Sequence, residues 1–221
     1  MKNYLQYIKE VRQFSDDETE IDVNDRGLTS LPKLPPKLER LECHSNNLTE
    51  LPELPDTLRE LSFYNNKITK LPKLPKSLTC IWGHTNKLTT VPELPKGLEH
   101  FSMPNNELIS LPELPQSIHT IFIHNNKIIK LPKLPDNLIS LNIHGNPLEC
   151  LIPTKYLKLL NGRDDQNWLR DYYYPMIKTY QFQKKILDEN ISNLLELSKQ
   201  TKLDDKIKLK FKDIVKQTEW S

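Results

Sequence analysis

The sequence predicts a solenoid, a fold in which one short structural unit is repeated and stacked along an axis. A 20-residue pattern occurs six times without an insertion, beginning at Leu31, Leu51, Leu71, Val91, Leu111 and Leu131. Within each copy, apolar and polar residues alternate over a few positions, and two prolines stand at fixed places. A fixed period in this range is typical of units that bury their apolar faces only against their neighbours.

The first copy, LPKLPPKLERLECHSNNLTE, illustrates the predicted strand and turn. Leu41 and Cys43 alternate with Glu42 and His44, which is the period of a short strand with one buried face. An asparagine then turns the chain, and its buried amide is predicted to satisfy backbone groups of adjacent coils. These residues form a predicted structural asparagine ladder: Asn46, Asn66, Asn86, Asn106, Asn126 and Asn146.

The LPxLP run of each copy is predicted to form an extended return segment. Proline has no amide hydrogen and a fixed φ angle, so Pro32 and Pro35 cannot lie inside a helix or a central strand. A polyproline II helix has about three residues per turn, which places Leu31 and Leu34 on one face and Lys33 on the other. A unit built in this way has no room for an α-helix.

With this pattern the chain resembles the leucine-rich repeat superfamily, in its 20-residue LPxLPxxLxxLxxxxNxL class. That class is typical of the repeat arrays of bacterial effectors of the YopM and IpaH-like families. The match runs from Leu31 to Leu148, with a degenerate half-unit from Ile21 to Leu28 before it. The resemblance implies a curved right-handed solenoid, with short parallel strands on its concave face and extended polyproline-like segments on its convex side.

Three parts are predicted along the chain: residues 1–30, 31–150 and 151–221. The first is an N-terminal cap with the half-repeat, the second is the six repeats, and the third is a C-terminal α-helical region. An open solenoid exposes an apolar coil at each end, so apolar residues at helical spacing over 2–13 predict a capping helix. Helix-forming residues after Cys150 predict three helices, over 164–173, 176–199 and 201–216, as a second cap or a small module.

Composition excludes several functional classes. The chain has five glycines and neither a GxxxxGK[ST] nor a GxGxxG run, which disfavours nucleotide-binding enzymes. No apolar stretch approaches the roughly 20 residues that span a bilayer, and the first 14 residues are too charged for a signal peptide. Cys43, Cys80 and Cys150 are too few for a disulfide scaffold. These features predict a protein of the cytoplasm, of its own cell or of a host cell.

The residue usage also indicates an origin. Lysine, isoleucine and asparagine are abundant and alanine is absent, which indicates an AT-rich bacterial or large-DNA-virus genome.

A partner-binding site is predicted on the implied concave face, because exposed aromatic and histidine side chains in one curved patch are typical of protein-binding surfaces. Trp82 and Phe122 lie two repeats apart, about 10 Å, and are the predicted anchors. The alternative is that these positions are solvent-exposed and have no function. The candidate residues are Arg40, Glu42, His44, Glu60, Tyr64, Trp82, His84, His100, Phe122, His124 and His144.

No catalytic residue, metal site or cofactor is predicted. His124 and His144 should lie about 5 Å apart, but no carboxylate accompanies them and their spacing matches no familiar ligand motif. The larger IpaH-like effectors are ubiquitin ligases with a catalytic cysteine, in a Cys-x-Asp setting, in a large helical domain. Here Cys150 is followed by Leu-Ile-Pro and no cysteine comes after it, so the resemblance does not extend to the ligase activity.

The sequence therefore predicts a non-enzymatic interaction scaffold that binds a partner protein on the concave face, with a host-interaction role by analogy to the effectors. One alternative is an adaptor whose C-terminal helices recruit a second partner, such as ubiquitination machinery. Another is nucleic-acid binding by the lysine-rich run from Lys206 to Lys212, which flanking aspartates disfavour. The identity of the partner and the oligomeric state are left open.

Overall fold

The structure is a computed structural model, and it describes residues 13–148 together with residues 152, 156, 159 and 160. The chain divides into two units, Met1–Leu169 and Arg170–Ser221, and all the described residues lie in the first. The predicted capping helix lies outside the described residues, except for its last residue. The three predicted C-terminal helices lie outside them as well. The lysine-rich run lies outside them too.

In the described part of the chain, seven strands of three residues form one parallel sheet in sequence order. They are β1 (Glu20–Asp22), β2 (Arg40–Glu42), β3 (Glu60–Ser62), β4 (Cys80–Trp82), β5 (His100–Ser102), β6 (Thr120–Phe122) and β7 (Ser140–Asn142). Each residue pairs with the residue one repeat later, as Leu41 does with Leu61. At about 4.8 Å per strand, the sheet is about 29 Å long. The predicted solenoid of short parallel strands is confirmed, and the half-unit contributes β1.

The core consists of the apolar positions of the repeat. Leu38, Leu41, Cys43 and Leu48 are fully buried, as the alternation of the first copy predicts. Burial raises the pKa of the Cys43 thiol to about 12, so this cysteine is a neutral apolar side chain at physiological pH.

Gly83 occupies the core position that Cys43 holds in the first copy, between the equivalent residues Phe63 and Met103. A Cβ atom added to Gly83 would lie 2.2 Å from Cζ of Phe63 and 2.7 Å from Sδ of Met103. Both neighbours are fully buried, so their side chains fill the space that a larger residue would need. The absence of a side chain in one coil therefore accommodates the large aromatic ring of the coil before it.

The LPxLP segments contain neither helix nor strand, and each connects the turn after one strand to the next strand. In the first copy Leu34 is buried and Lys33 is exposed, as polyproline-like geometry predicts. A tight turn follows, in which the Leu38 amide donates to the Pro35 carbonyl oxygen at 3.2 Å. The equivalent bond recurs in the next four copies at 3.0–3.2 Å.

Each ladder asparagine joins its own coil to the coil before it. The Asn106 amide nitrogen donates to the carbonyl oxygens of Gly83 at 3.0 Å, Met103 at 3.2 Å and Pro104 at 3.2 Å. Its amide oxygen accepts the backbone N–H of Leu88 at 3.1 Å. The residue before the asparagine has a left-handed backbone, with φ of 54° at Asn105, which lets the side chain turn inward.

Among the described residues beyond the last repeat, three apolar or aromatic side chains are buried. Ile152, Tyr156 and Leu160 are buried at intervals of four residues. The Tyr156 hydroxyl donates to the carbonyl oxygens of Leu134 at 3.0 Å and Pro135 at 3.2 Å, within the last LPxLP segment. Among the described residues there is no helix with the length and apolar character required to cross a membrane.

Candidate partner-binding surface

Three columns of side chains stand on the side of the sheet opposite the core, and we call them together the strand face. The first column is Glu20, Arg40, Glu60, Cys80, His100, Thr120 and Ser140. The second is Asp22, Glu42, Ser62, Trp82, Ser102, Phe122 and Asn142. The third lies two residues beyond each strand and is Asn24, His44, Tyr64, His84, Pro104, His124 and His144. This is the face that the resemblance predicts to be concave.

The third column is a row of stacked rings. The rings of His44 and Tyr64 have centroids 4.1 Å apart and planes 10° apart, and those of Tyr64 and His84 are 4.1 Å and 11° apart. His124 and His144 form a second stack, with centroids 4.7 Å apart. The buried Pro104 holds the equivalent position between the two stacks. Five rings and one proline thus form a single row along the sheet, which we call the ridge.

Trp82 and Phe122 are the large side chains of the second column, and both are partly exposed. Ser102 pairs with each of them in the sheet and is only 8% exposed, because its short side chain lies between two larger neighbours. The two residues lie beside the ridge, on strands that are about 10 Å apart because β5 stands between them. We call Trp82, His84, Pro104, Phe122 and His124 the aromatic section of the strand face.

The first three strands carry a different chemistry. The Arg40 guanidinium hydrogen-bonds Glu42, and its Nε lies 3.6 Å from Oε2 of Glu60. The hydrogen bond from Arg40 lowers the pKa of the Glu42 carboxyl, so Glu42 stays ionised at physiological pH. Glu20 and Asp22 are exposed on β1. We call these five residues the acidic section; with four carboxylates and one guanidinium, its net formal charge is −3.

The structure brings the predicted site residues together in three groups. Arg40, Glu42 and Glu60 are in contact in the acidic section, and His44, Tyr64 and His84 stack in the ridge, as do His124 with His144. His100 stands apart in the first column, paired with Cys80 and Thr120.

The residues of this face that the sequence-based set omits include Glu20, Asp22 and Pro104. Glu20 and Asp22 lie one period before Arg40 and Glu42, so extending the columns into the half-unit would have found them. Pro104 stands in the histidine column but has no polar group, so a search for binding chemistry passes over it.

The described residues include no group of three or more histidine, cysteine, aspartate or glutamate side chains placed to hold a metal ion. Cys80 pairs with Glu60 on one side and His100 on the other. Burial, followed by the nearby carboxylates Glu60 and Glu99, raises the pKa of the Cys80 thiol, which makes it a poor nucleophile at neutral pH. The strand face therefore presents aromatic surface, hydrogen-bonding groups and negative charge.

His84 makes the stability of the strand face dependent on pH. Burial first, and the nearby His44 second, lower its pKa in the folded chain. The unfolded chain therefore binds more protons, and stability falls as the pH decreases through the ordinary histidine pKa of about 6.5. We expect the H84Q variant to lose less stability than the native chain between about pH 7.5 and pH 5, measured by urea unfolding. The control is H119Q, which removes a histidine outside the strand face; an unchanged slope in H84Q, or an equal change in both variants, would contradict the prediction.

The parallel solenoid, the asparagine ladder and the LPxLP segments form a leucine-rich repeat solenoid, and the solved structures that are similar to it are leucine-rich repeat effectors. Two solved structures of YopM are similar to it. YopM from Yersinia enterocolitica WA-314 is 42% identical, with a TM-score of 0.60, over 61% of this chain and 31% of that one. YopM from Yersinia pestis, a leucine-rich effector protein, is 36% identical, with a TM-score of 0.57, over 64% of this chain and 47% of that one.

The leucine-rich repeat domain of a Shigella effector is also similar, at 26% identity and a TM-score of 0.53, over 73% of this chain and 83% of that one. The matched part of this chain spans less than half the length of each of the two YopM structures. No protein-family model matches the sequence, and no curated protein does.

Proposed function

We propose that this chain is a non-enzymatic scaffold that binds a partner protein on its strand face, in a host-interaction role like that of the effectors it resembles. One observation carries the proposal: Trp82 and Phe122 project, partly exposed, from strands of a regular solenoid. Partly exposed tryptophan and phenylalanine beside a ridge of rings form an apolar surface of the kind that marks interaction sites.

The composition of the face also supports this function. Tryptophan, tyrosine and arginine are the residues that contribute most to the energy of protein interfaces, and each occurs here, as Trp82, Tyr64 and Arg40. The rings are held by the sheet and by stacking, so little side-chain entropy is lost when a partner covers them. A rigid surface with aromatic anchors favours binding over chemical turnover.

The test is capture from a eukaryotic cell lysate with the full chain and the W82A/F122A variant. We expect the double substitution to reduce captured partner at least about tenfold, since truncation of a central aromatic anchor costs about 2 kcal/mol or more. The matched control is I109A/I129A, which removes two apolar side chains that are 56% and 49% exposed outside the strand face. Circular dichroism of all three proteins would establish that they are equally folded.

Capture that is equal for the native chain and W82A/F122A would contradict binding on the strand face. So would an equal loss in I109A/I129A, because that result would indicate nonspecific adsorption to exposed apolar groups.

A further inference from the structure

We propose that the strand face binds an extended, basic segment of its partner, with lysine or arginine side chains over the acidic section and a large apolar side chain over the aromatic section. This inference rests on the proposed function and adds the chemistry of the partner. The distribution of charge on the strand face, the order of the two sections along the sheet, and the dimensions of the face support it.

Positive charge is nearly excluded from this face. The six repeats contain 11 lysines, and none of them lies in the three columns. Arg40 is the one arginine there among the described residues, and it is bonded to Glu42 and close to Glu60. Glu20 and Asp22 add two exposed carboxylates at the start of the sheet. A surface with this charge attracts a basic partner and repels phosphate groups, which argues against a nucleic acid on this face.

The two sections follow each other along the sheet, with the acidic section on β1–β3 and the aromatic section reaching β6. Five strand spacings separate β1 from β6, which is about 24 Å, and an extended peptide covers that distance with about seven residues. The face is much narrower in the strand direction, about 13 Å for the five residues from Arg40 to His44. A long and narrow surface fits a single extended segment that crosses the strands.

Such a segment is recognised through its side chains. A peptide that crosses the strands cannot add to the sheet, because the strand backbones already bond to their neighbours in register. Basic side chains can then meet Glu20, Asp22 and Glu60, while a tryptophan, phenylalanine or leucine side chain packs between Trp82 and Phe122. The order of the side chains along the sheet is fixed, since the basic residues must lie on the β1 side of the apolar one, whichever direction the peptide runs.

The experiment selects peptides from a random 12-residue phage-displayed library on the full chain and measures binding of the selected synthetic peptide by fluorescence anisotropy. We expect a consensus with at least two lysine or arginine residues to one side of a large apolar residue. Affinity should fall as salt rises from about 50 to about 300 mM, because exposed charges are screened. The E20K/D22K variant should bind at least about tenfold more weakly, since it places like charges against the peptide.

The matched control is E93K/E113K, which makes the same change in net charge at two exposed residues of the LPxLP segments. This variant should bind the peptide within about twofold of the native chain, because Glu93 and Glu113 lie outside the three columns of the strand face. Equal weakening in both charge-reversed variants would indicate a general charge effect and would overturn the inference.

Other outcomes separate the inference from the proposed function. An acidic consensus, the absence of any consensus, or full affinity in E20K/D22K would overturn the basic segment. If W82A/F122A still loses binding in that case, the strand face remains the binding surface. Peptide binding that is weakened neither by E20K/D22K nor by W82A/F122A would overturn both the basic segment and the proposed binding on the strand face. Dimerisation of the native chain that W82A/F122A abolishes, seen by sedimentation, would assign the face to a second copy and overturn the inference.

Discussion

Replacing Phe63 with alanine is expected to lower the free energy of unfolding by about 3–5 kcal/mol, the range measured when large aromatic residues are removed from protein cores. Phe63 is fully buried and is among the largest such side chains in the described chain. Its ring reaches from one coil to the next, where it occupies the space beside Gly83. In a solenoid each coil is stabilised only by its neighbours, so a cavity at this point weakens the interface between two repeats.

The complementarity of Phe63 and Gly83 can be measured with a double-mutant cycle. G83A alone should destabilise the chain, because the added Cβ would lie 2.2 Å and 2.6 Å from ring carbons of Phe63. In the F63A background that clash is absent, and the methyl group fills part of the cavity. We therefore expect the double variant to be more stable than the sum of the single effects by about 1–2 kcal/mol.

Urea unfolding followed by circular dichroism gives these free energies, and a constant m-value would show that the same surface unfolds in every variant. I139A is the control, since it truncates an aliphatic side chain that is 71% exposed and should change stability by less than about 0.5 kcal/mol. Effects of F63A and G83A that add within about 0.5 kcal/mol would contradict the proposed packing.

The period of the sequence is sufficient to predict the topology of the solenoid. Residues one repeat apart, such as Leu41 and Leu61, pair in the sheet, so the alignment of the six copies is also the strand register. The alternation of Leu41 and Cys43 with Glu42 and His44 then assigns each side chain to the core or to the opposite face. Because the register and the alternation both repeat, a correct prediction for one 20-residue copy applies to all the others.

Contacts between unlike copies are not predictable in this way. The fit of Phe63 against Gly83 depends on where one particular ring points, and a repeat pattern contains no such information. The sequence-based set of site residues lacks Glu20 and Asp22 for a related reason. Glu20 and Asp22 belong to a half-unit with neither the LPxLP run nor the ladder asparagine, so the pattern that defines the columns stops short of them. The fit of Phe63 against Gly83 emerges only when neighbouring coils are placed side by side.

Replacing Asn106 with aspartate is expected to cost about 2–4 kcal/mol at neutral pH, although the two side chains have nearly the same shape. The amide of Asn106 donates to three carbonyl oxygens and accepts one N–H, and the residue is only 7% exposed. An ionised aspartate would retain the acceptor, lose every donor, and place a negative charge against three carbonyl oxygens. Unmade hydrogen bonds and an uncompensated charge are both costly inside a protein.

The pH dependence of this variant distinguishes the loss of hydrogen bonds from a simple change in packing. Burial and the facing carbonyl oxygens should raise the pKa of the introduced carboxyl above its unfolded value of about 3.9. A raised pKa means that the folded state binds more protons, so the stability of N106D relative to the native chain should recover as the pH falls from about 7 to about 4. The protonated carboxyl also regains one donor for the facing carbonyl groups.

The matched control is N105D, at the adjacent exposed asparagine. Asn105 has a φ of 54°, which aspartate also tolerates, and its amide oxygen accepts a hydrogen bond from Asn125 that a carboxylate can still accept. We expect N105D to remain within about 0.5 kcal/mol of the native chain across this pH range. A cost for N106D no greater than that of N105D, or one that does not vary with pH, would show that the ladder amides do not stabilise the stacking of the coils.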